Sequence, residues 1–238
     1  MKTIVFDIKG DFAHFKRIYT TSSPLTYSFP PPPTLKGIIG AIYGASKEEY
    51  LSIFSNETTK LAIRIINPIK RIRLGINLIN TKDNFWTPVK RGKHEARTQI
   101  RTEFLKDVCF RIYFSHSDDK ILSTVEESIR NHKSIFTVSL GLSELLAEVE
   151  YVGIVDFLEA HGEEVEISSV IPLSLIEEKR IVFEENRKYF KERVPFSMKA
   201  DREVDRYEDI IFEPDGNTIK LFMKAFFKGN NGENIAFF

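Results

Sequence analysis

Twelve cations crowd one stretch of this chain. Between residues 60 and 106 stand Lys60, Arg64, Lys70, Arg71, Arg73, Lys82, Lys90, Arg91, Lys93, Arg97, Arg101 and Lys106, against only Asp83, Glu95 and Glu103. Phe85 and Trp86 lie among them. Guanidinium groups hold phosphates through forked hydrogen bonds, and flat rings stack on bases or wedge between them. The combination suits a nucleic-acid contact. A solvated loop with Trp86 packed on the core is the plainer use of the same residues.

A second phosphate-holding pattern lies near the N-terminus. A basic, aromatic loop (His14, Phe15, Lys16, Arg17, Tyr27) runs into the four prolines at 30–33, then Thr34-Leu35-Lys36-Gly37. Helix N-termini bind phosphates through free backbone amides and the helix dipole. Gly37 and Gly40 would let a phosphate chain approach closely, or let the helix pack tightly on a sheet. There is no Walker lysine pattern, so nucleoside triphosphate hydrolysis is not expected.

The chain has five histidines: His14, His94, His116, His132 and His161. A metal-free ribonuclease needs an acid/base pair, often His with Tyr or Lys. His14 with Tyr43, or His116 after the third strand, are the candidates; surface or phosphate-contacting roles are the alternative. No metal-ligand spacing is present, and no metal or cofactor is expected. The pairs Glu163-Glu164, Glu177-Glu178 and Glu184-Glu185 read as solvated faces that repel RNA or meet a basic protein neighbour.

The elements that would position these groups follow from periodicity. Residues 2–8 alternate as a strand, with Ile4, Phe6 and Ile8 on one face. Residues 9–33 read as a long loop. Thr34 caps a helix from Leu35, whose Leu35, Ile38, Ile39 and Ile42 fall on one side, and Gly44 ends it. Ser46 with Glu49 reads as a capping box for a short helix to Phe54. One or two strands follow over 60–79, and another over 107–115. Ser117 or Asp118 caps a helix with Ile121, Leu122, Val125 and Ile129 inward. A strand at 135–138, a turn at Gly141, a short helix at 143–146 and a long strand over 148–158 complete the first unit.

That order, β-α-β-β-α-β, is the ferredoxin-like order shared by RNA-recognition folds. The expectation is an α+β chain with a ferredoxin-like (RRM-like) domain over 1–158. A small, mainly β domain over 159–238 would carry strands at 165–171, 180–184 and 218–227.

Composition bounds the rest. The 238 residues are 42% hydrophobic and 29% charged, as in a soluble globular protein. No stretch approaches the roughly 20 apolar residues of a membrane span, and no secretory signal opens the chain. Cys109 is the only cysteine, which leaves no internal disulfide and suits a reducing cytoplasm. A single glutamine, Gln99, among many Ile, Lys, Arg and Glu leans towards a thermophile. Net charge is zero, yet residues 1–140 hold 22 Lys+Arg against 13 Asp+Glu, and residues 141–238 hold 12 against 21. The asymmetry points to a nucleic-acid face on the first part and another task for the second.

These motifs resemble the Cas-five family of CRISPR-associated proteins, within the RAMP superfamily. The family opens with a strand, a glycine, an alanine and a basic or aromatic pair, here Gly10, Ala13 and Phe15-Lys16. Tyr27-Ser28-Phe29-Pro30, Thr34-Leu35-Lys36-Gly37 and Gly40-Ala41-Ile42-Tyr43-Gly44 match its Pro stretch and small-residue helix. Arg97-Thr98-Gln99, Glu103-Phe104-Leu105, Arg111-Ile112-Tyr113 and residues 137–144 resemble later blocks. The match covers roughly residues 1–155 and leaves 160–238 unmatched.

The resemblance implies a non-catalytic subunit of a type I Cascade antiviral surveillance complex. Such a subunit holds the 5′ handle of the CRISPR RNA and meets both the backbone subunit and the large subunit. A thumb hairpin that bends the RNA would span about residues 70–105, while the target is read by guide pairing. The residues expected to contact RNA are Lys16, Arg17, Tyr27, Lys36, Gly37, Arg71, Arg73, Arg91, Lys93, His94, Arg97 and Arg101. One branch of the family, subtype I-C, cuts precursor RNA with a Tyr, a Lys and a His. Tyr43 and His116 have counterparts there, but residue 115 is Ser where that branch has Lys. Composition and the extended C-terminal part favour subtype I-A or I-B, where a separate Cas-six nuclease cuts. The alternatives are a metal-independent endoribonuclease and a pure protein adaptor.

Overall fold

A computed structural model describes residues 1–20, 22–79 and 97–238. Strand β1 (Lys2–Ala13) buries Ile4, Phe6 and Ile8 as the alternation predicts. It runs five residues past the expected end at Ile8, because its pairing with β4 (Arg97–His116) continues from Gly10↔Val108 to Ala13↔Leu105. A partner about a hundred residues away is invisible to local periodicity.

Helix α1 (Pro32–Tyr43) starts earlier than expected. Pro31 is its N-cap, and Thr34 makes no side-chain cap. Proline suits the first turn because its φ is preset and its missing N–H would have no partner there. Leu35, Ile38, Ile39 and Ile42 are buried, and Gly44 closes the helix at φ 96°. The Ser46 hydroxyl donates to the Glu49 carboxylate at 2.6 Å, yet α2 (Tyr50–Ile53) begins after Glu49 with no side-chain cap, so the expected box does not form. Helix α3 (Asp119–Arg130) is as read: the Asp118 carboxylate accepts from Lys120 N at 2.8 Å, and Leu122, Val125 and Ile129 face inward.

Strands β2 (Thr59–Ile65) and β3 (Lys70–Ile79) both pair β4. The strand expected at 135–138 is absent, and residues 143–146 form a turn rather than a helix. Ile135 and Phe136 are exposed while Val138 is buried, so this segment is apolar without sitting in the sheet. Strand β5 (Glu148–Ile167) is nearly twice the expected length. Its first part pairs β1 and its second pairs β10 (Ile219–Gly229), so the boundary expected after residue 158 falls inside it.

The main sheet runs β11-β10-β5-β1-β4-β2, with β3 beside the outer part of β4 and β7 (Ile176–Ile181) beside β10; β11 is Asn234–Ile235. A second sheet holds β6 (Ile171–Pro172), β9 (Val204–Phe212) and β8 (Phe190–Met198). The β8–β9 pair was not expected. Pro195 and alternating charge argue against a strand locally, but the pair holds register with shifts at Pro195 and Ser197. The largest core cluster joins the inward side chains of β1, β2 and β4 to α1 and α3 and reaches Val194, Ile210 and Phe212. A second cluster fills the C-terminal half around Ile167, Leu221, Met223 and Phe226. Among the described residues, no helix is long and apolar enough to cross a membrane.

Candidate nucleic-acid interface

Strand β4 changes partners at Asp107, which sits at φ 53°. The Asn67 side chain donates to the Asp107 carbonyl at 3.0 Å and braces that kink. Beyond it, residues 97–106 pair β3, from Lys70↔Lys106 out to Ile79↔Arg97. Opposed residues of an antiparallel pair share a face. One face of this ribbon therefore carries Ile72, Leu74, Ile76, Leu78, Ile100 and Phe104. The other carries Arg71, Arg73, Asn77, Arg97, Gln99, Arg101 and Glu103. The four arginines of the ribbon are thus sorted by the pleat onto one side, with Leu105 and Ile79 among them, while Lys70 and Lys106 fall on the apolar side.

The base of the basic face is a buried ion-pair network. Glu103 and Glu192 are only 6% and 8% exposed. The Arg71 guanidinium reaches both, at 3.0 Å to Glu103 and 3.4 Å to Glu192, and donates to the Ser28 hydroxyl at 2.6 Å. Arg73 approaches the other Glu103 oxygen at 3.5 Å. Arg17 pairs with Glu192 and donates from Nε to the Thr26 carbonyl at 3.1 Å. The Ser28 amide donates to the second Glu192 oxygen at 2.8 Å. Burial alone would lower the Arg17 pKa; the Glu192 carboxylate and the Tyr19 hydroxyl more than reverse it and hold it above its ordinary value. The loop after β1 is pinned here by Tyr27 N to the Phe15 carbonyl at 2.8 Å and Glu103 N to the Pro24 carbonyl at 2.9 Å.

The remaining expected residues divide sharply. Arg97 and Arg101 are exposed on the outer ribbon and have no carboxylate partner among the described residues. Lys16 is exposed, in a bridge to Thr26. Tyr27 is buried, and burial first, with Tyr19 and Tyr207 next, pushes its phenol up to about 12. Lys36 is buried, donates to the Asn56 side chain, and is lowered by burial to about 8. Gly37 faces Tyr50, whose ring edge would lie 3.8 Å from an added Cβ. The helix start offers no phosphate cradle: Pro32 and Pro33 have no N–H, and Thr34 N and Leu35 N both donate to the Pro31 carbonyl. Arg91, Lys93 and His94, with Phe85 and Trp86, lie outside the described residues.

Sequence reasoning missed Glu192 and treated Glu103 as a bystander. No local pattern marks Glu192, since its partner Arg17 is 175 positions away. The candidate acid/base histidines are also tied down. His116 accepts from Asp118 N at Nδ1 (2.9 Å), so its proton sits on Nε2 and donates to the Ile53 carbonyl at 3.1 Å. Phe54 stands against both Tyr43 and His116. His14 bonds the Glu103 carbonyl at 2.7 Å through Nδ1, and burial lowers its pKa.

A family profile described as CRISPR-associated protein (Cas_Cas5) matches residues 3–212. The chain belongs to this family. The Cas5 match takes in both elements of the ribbon and the whole network at its base. No curated protein matches the sequence significantly. Two solved structures share the Cas5 chain's β-rich α+β fold. One is a CRISPR protein from Archaeoglobus fulgidus, 15% identical, with a TM-score of 0.57 over 99% of this chain and 98% of that one. The other is a chain of a CRISPR RNA-guided surveillance complex, 11% identical, with a TM-score of 0.56 over 92% and 91%. At these identities the likeness is one of fold.

Proposed function

We propose that this Cas5 protein is a non-catalytic subunit of a type I Cascade antiviral surveillance complex. It grips the repeat-derived 5′ handle of the CRISPR RNA and bridges the backbone filament and the large subunit. The observation that carries this reading is the outer basic face of the β3–β4 ribbon, where Arg97 and Arg101 are exposed and uncommitted to any described carboxylate. Exposed guanidiniums on a two-stranded projection can fork onto phosphates without first breaking an ion pair. The strand order β5-β1-β4-β2, with α1 and α3 on one core face, supports the ferredoxin-like reading of the first part. The ribbon then takes the place of the thumb. Binding without cutting is favoured because both ring nitrogens of His116 are already bonded and His14 is buried.

The test is to incubate the purified protein with labelled repeat RNA in EDTA and score cleavage and gel retardation at two salt concentrations. Retention without cutting, weakening steeply with salt, is the expected result. A discrete cut lost in His116→Ala moves the chain to the processing branch. No retardation at low salt leaves it a protein adaptor.

A further inference from the structure

The β8–β9 hairpin brings a second group of cations to the same end of the fold. A cleft of about 450 Å³ lies between it and the loop after β1, lined by Arg17, Tyr19, Lys191, Glu192, Arg193 and Tyr207. The pleat of β8 sends Glu192 inward and turns Lys191 and Arg193 outward. Glu192 is spent on Arg17, Arg71 and Ser28. Lys191 pairs with Asp209 at 3.1 Å, and the Arg193 guanidinium lies 5.4 Å from the centre of the Tyr207 ring. Tyr19 is 67% exposed and Tyr207 37%. Large exposed rings beside arginines, in a recess rather than on a flat face, are a stacking platform with a phosphate hold next to it.

We infer that this cleft takes one nucleotide of single-stranded RNA. The base lies on the Tyr207 and Tyr19 rings, and the phosphate is held by Arg193 and Lys191. The inference rests on the proposed RNA-binding role and extends its path. Arg71 at the ribbon base and Arg17 at the cleft share the Glu192 carboxylate, so a strand leaving the basic face meets the cleft next. The acidic pairs of this half read as repelling RNA or meeting a basic protein neighbour; the outward Lys191 and Arg193 of β8, beside Tyr207, lie apart from those pairs.

The experiment uses the full chain and a short oligouridylate carrying a single 2-aminopurine, read by fluorescence and by retardation, with free AMP as a control. Binding to the unaltered protein should quench the 2-aminopurine. Tyr207→Ala, and separately Tyr19→Ala on the exposed loop, should lose the quench and weaken affinity roughly five- to hundredfold. Tyr207→Phe keeps the ring and should bind as the parent does. Arg193→Glu should lower the salt slope by about one. Thermal melts check that each variant is folded. If the tyrosine variants bind and quench as the parent does while Arg97→Glu with Arg101→Glu loses RNA, the cleft is overturned and the ribbon stands. If the parent binds no RNA, both fall. If AMP alone fills the cleft as tightly as the oligonucleotide, the ligand is a free nucleotide and the RNA subsite is wrong.

Discussion

Arg71 and Arg101 stand on the same face of one ribbon, yet they are in opposite physical situations. Arg71 is forked between two buried carboxylates and a serine hydroxyl. Arg101 is exposed and has no carboxylate among the described residues. A phosphate arriving at Arg71 must displace its pairs with two buried carboxylates, leaving Glu103 to Arg73 and Glu192 to Arg17 alone, a costly change. One arriving at Arg101 displaces no carboxylate of the described residues. The base of the ribbon therefore holds the fold, and its outer part is the proposed grip. What separates them is not residue type or spacing but whether the fold delivers a carboxylate from far along the chain.

The strongest way to break that comparison is Glu192→Ala. Removing one partner of a buried pair leaves cations buried without compensation, at about 3–5 kcal/mol. Arg17 and Arg71 keep 19% and 34% of their side-chain surface in solvent, which places the loss near the low end, about 3 kcal/mol. Urea unfolding measures it. A loss under about 1 kcal/mol would put these pairs with ordinary surface bridges and erase the distinction between base and tip.

Next in size is the converse change at the tip. Arg97→Glu with Arg101→Glu should leave the urea midpoint in place while weakening RNA binding about a hundredfold, roughly 2.7 kcal/mol for two lost charge-assisted contacts. Titration of labelled repeat RNA against both proteins at one salt concentration decides it. Equal affinities would mean that the grip lies elsewhere. A shifted midpoint would mean that the tip, too, holds the fold. Reversing Arg71 does not make the same test, because its first effect falls on Glu103 and Glu192.

How much of this was legible in the chain follows the same division. Helix α3 is written locally: Asp118 caps it and Leu122, Val125 and Ile129 keep one face, so reading and structure agree. The basic face was legible only in part: strand periodicity over 60–79 places Arg71 and Arg73 together, while β4 begins ten residues before the strand read at 107–115, because its outer part pairs β3 without an apolar alternation of its own. Neither the continuation of β1 to Ala13 nor the β8–β9 pair could be read, since each depends on a partner strand distant in sequence. Apolar content misled at Ile135 and Phe136, which resemble a strand but stay largely in solvent. At the site, types were legible and commitments were not. Nothing near Arg17 announces that Glu192 will neutralise it.

Lys36 gives the smallest and cleanest contrast, being a buried cation with an amide for a partner instead of a carboxylate. Burial lowers its pKa to about 8 from the ordinary 10.5. The sign follows from proton counting. Between about pH 8 and 10.5 the unfolded chain holds a proton on this residue that the folded chain has released, so stability rises with pH across that window. Below it both states are protonated and the cost of burying the ammonium is fully present. Lys36→Met removes the group, so the variant should be the more stable at pH 7. Its advantage should shrink by about 2 kcal/mol as the pH is raised to roughly 9.5. Comparing the two proteins cancels the other groups, including Tyr27, whose raised pKa works in the opposite direction above pH 10. If the advantage is independent of pH, the Lys36 ammonium is solvated like that of a tip cation. Lys36 alone, and not the helix start, would then belong with Arg97 and Arg101 as a cation open to phosphate.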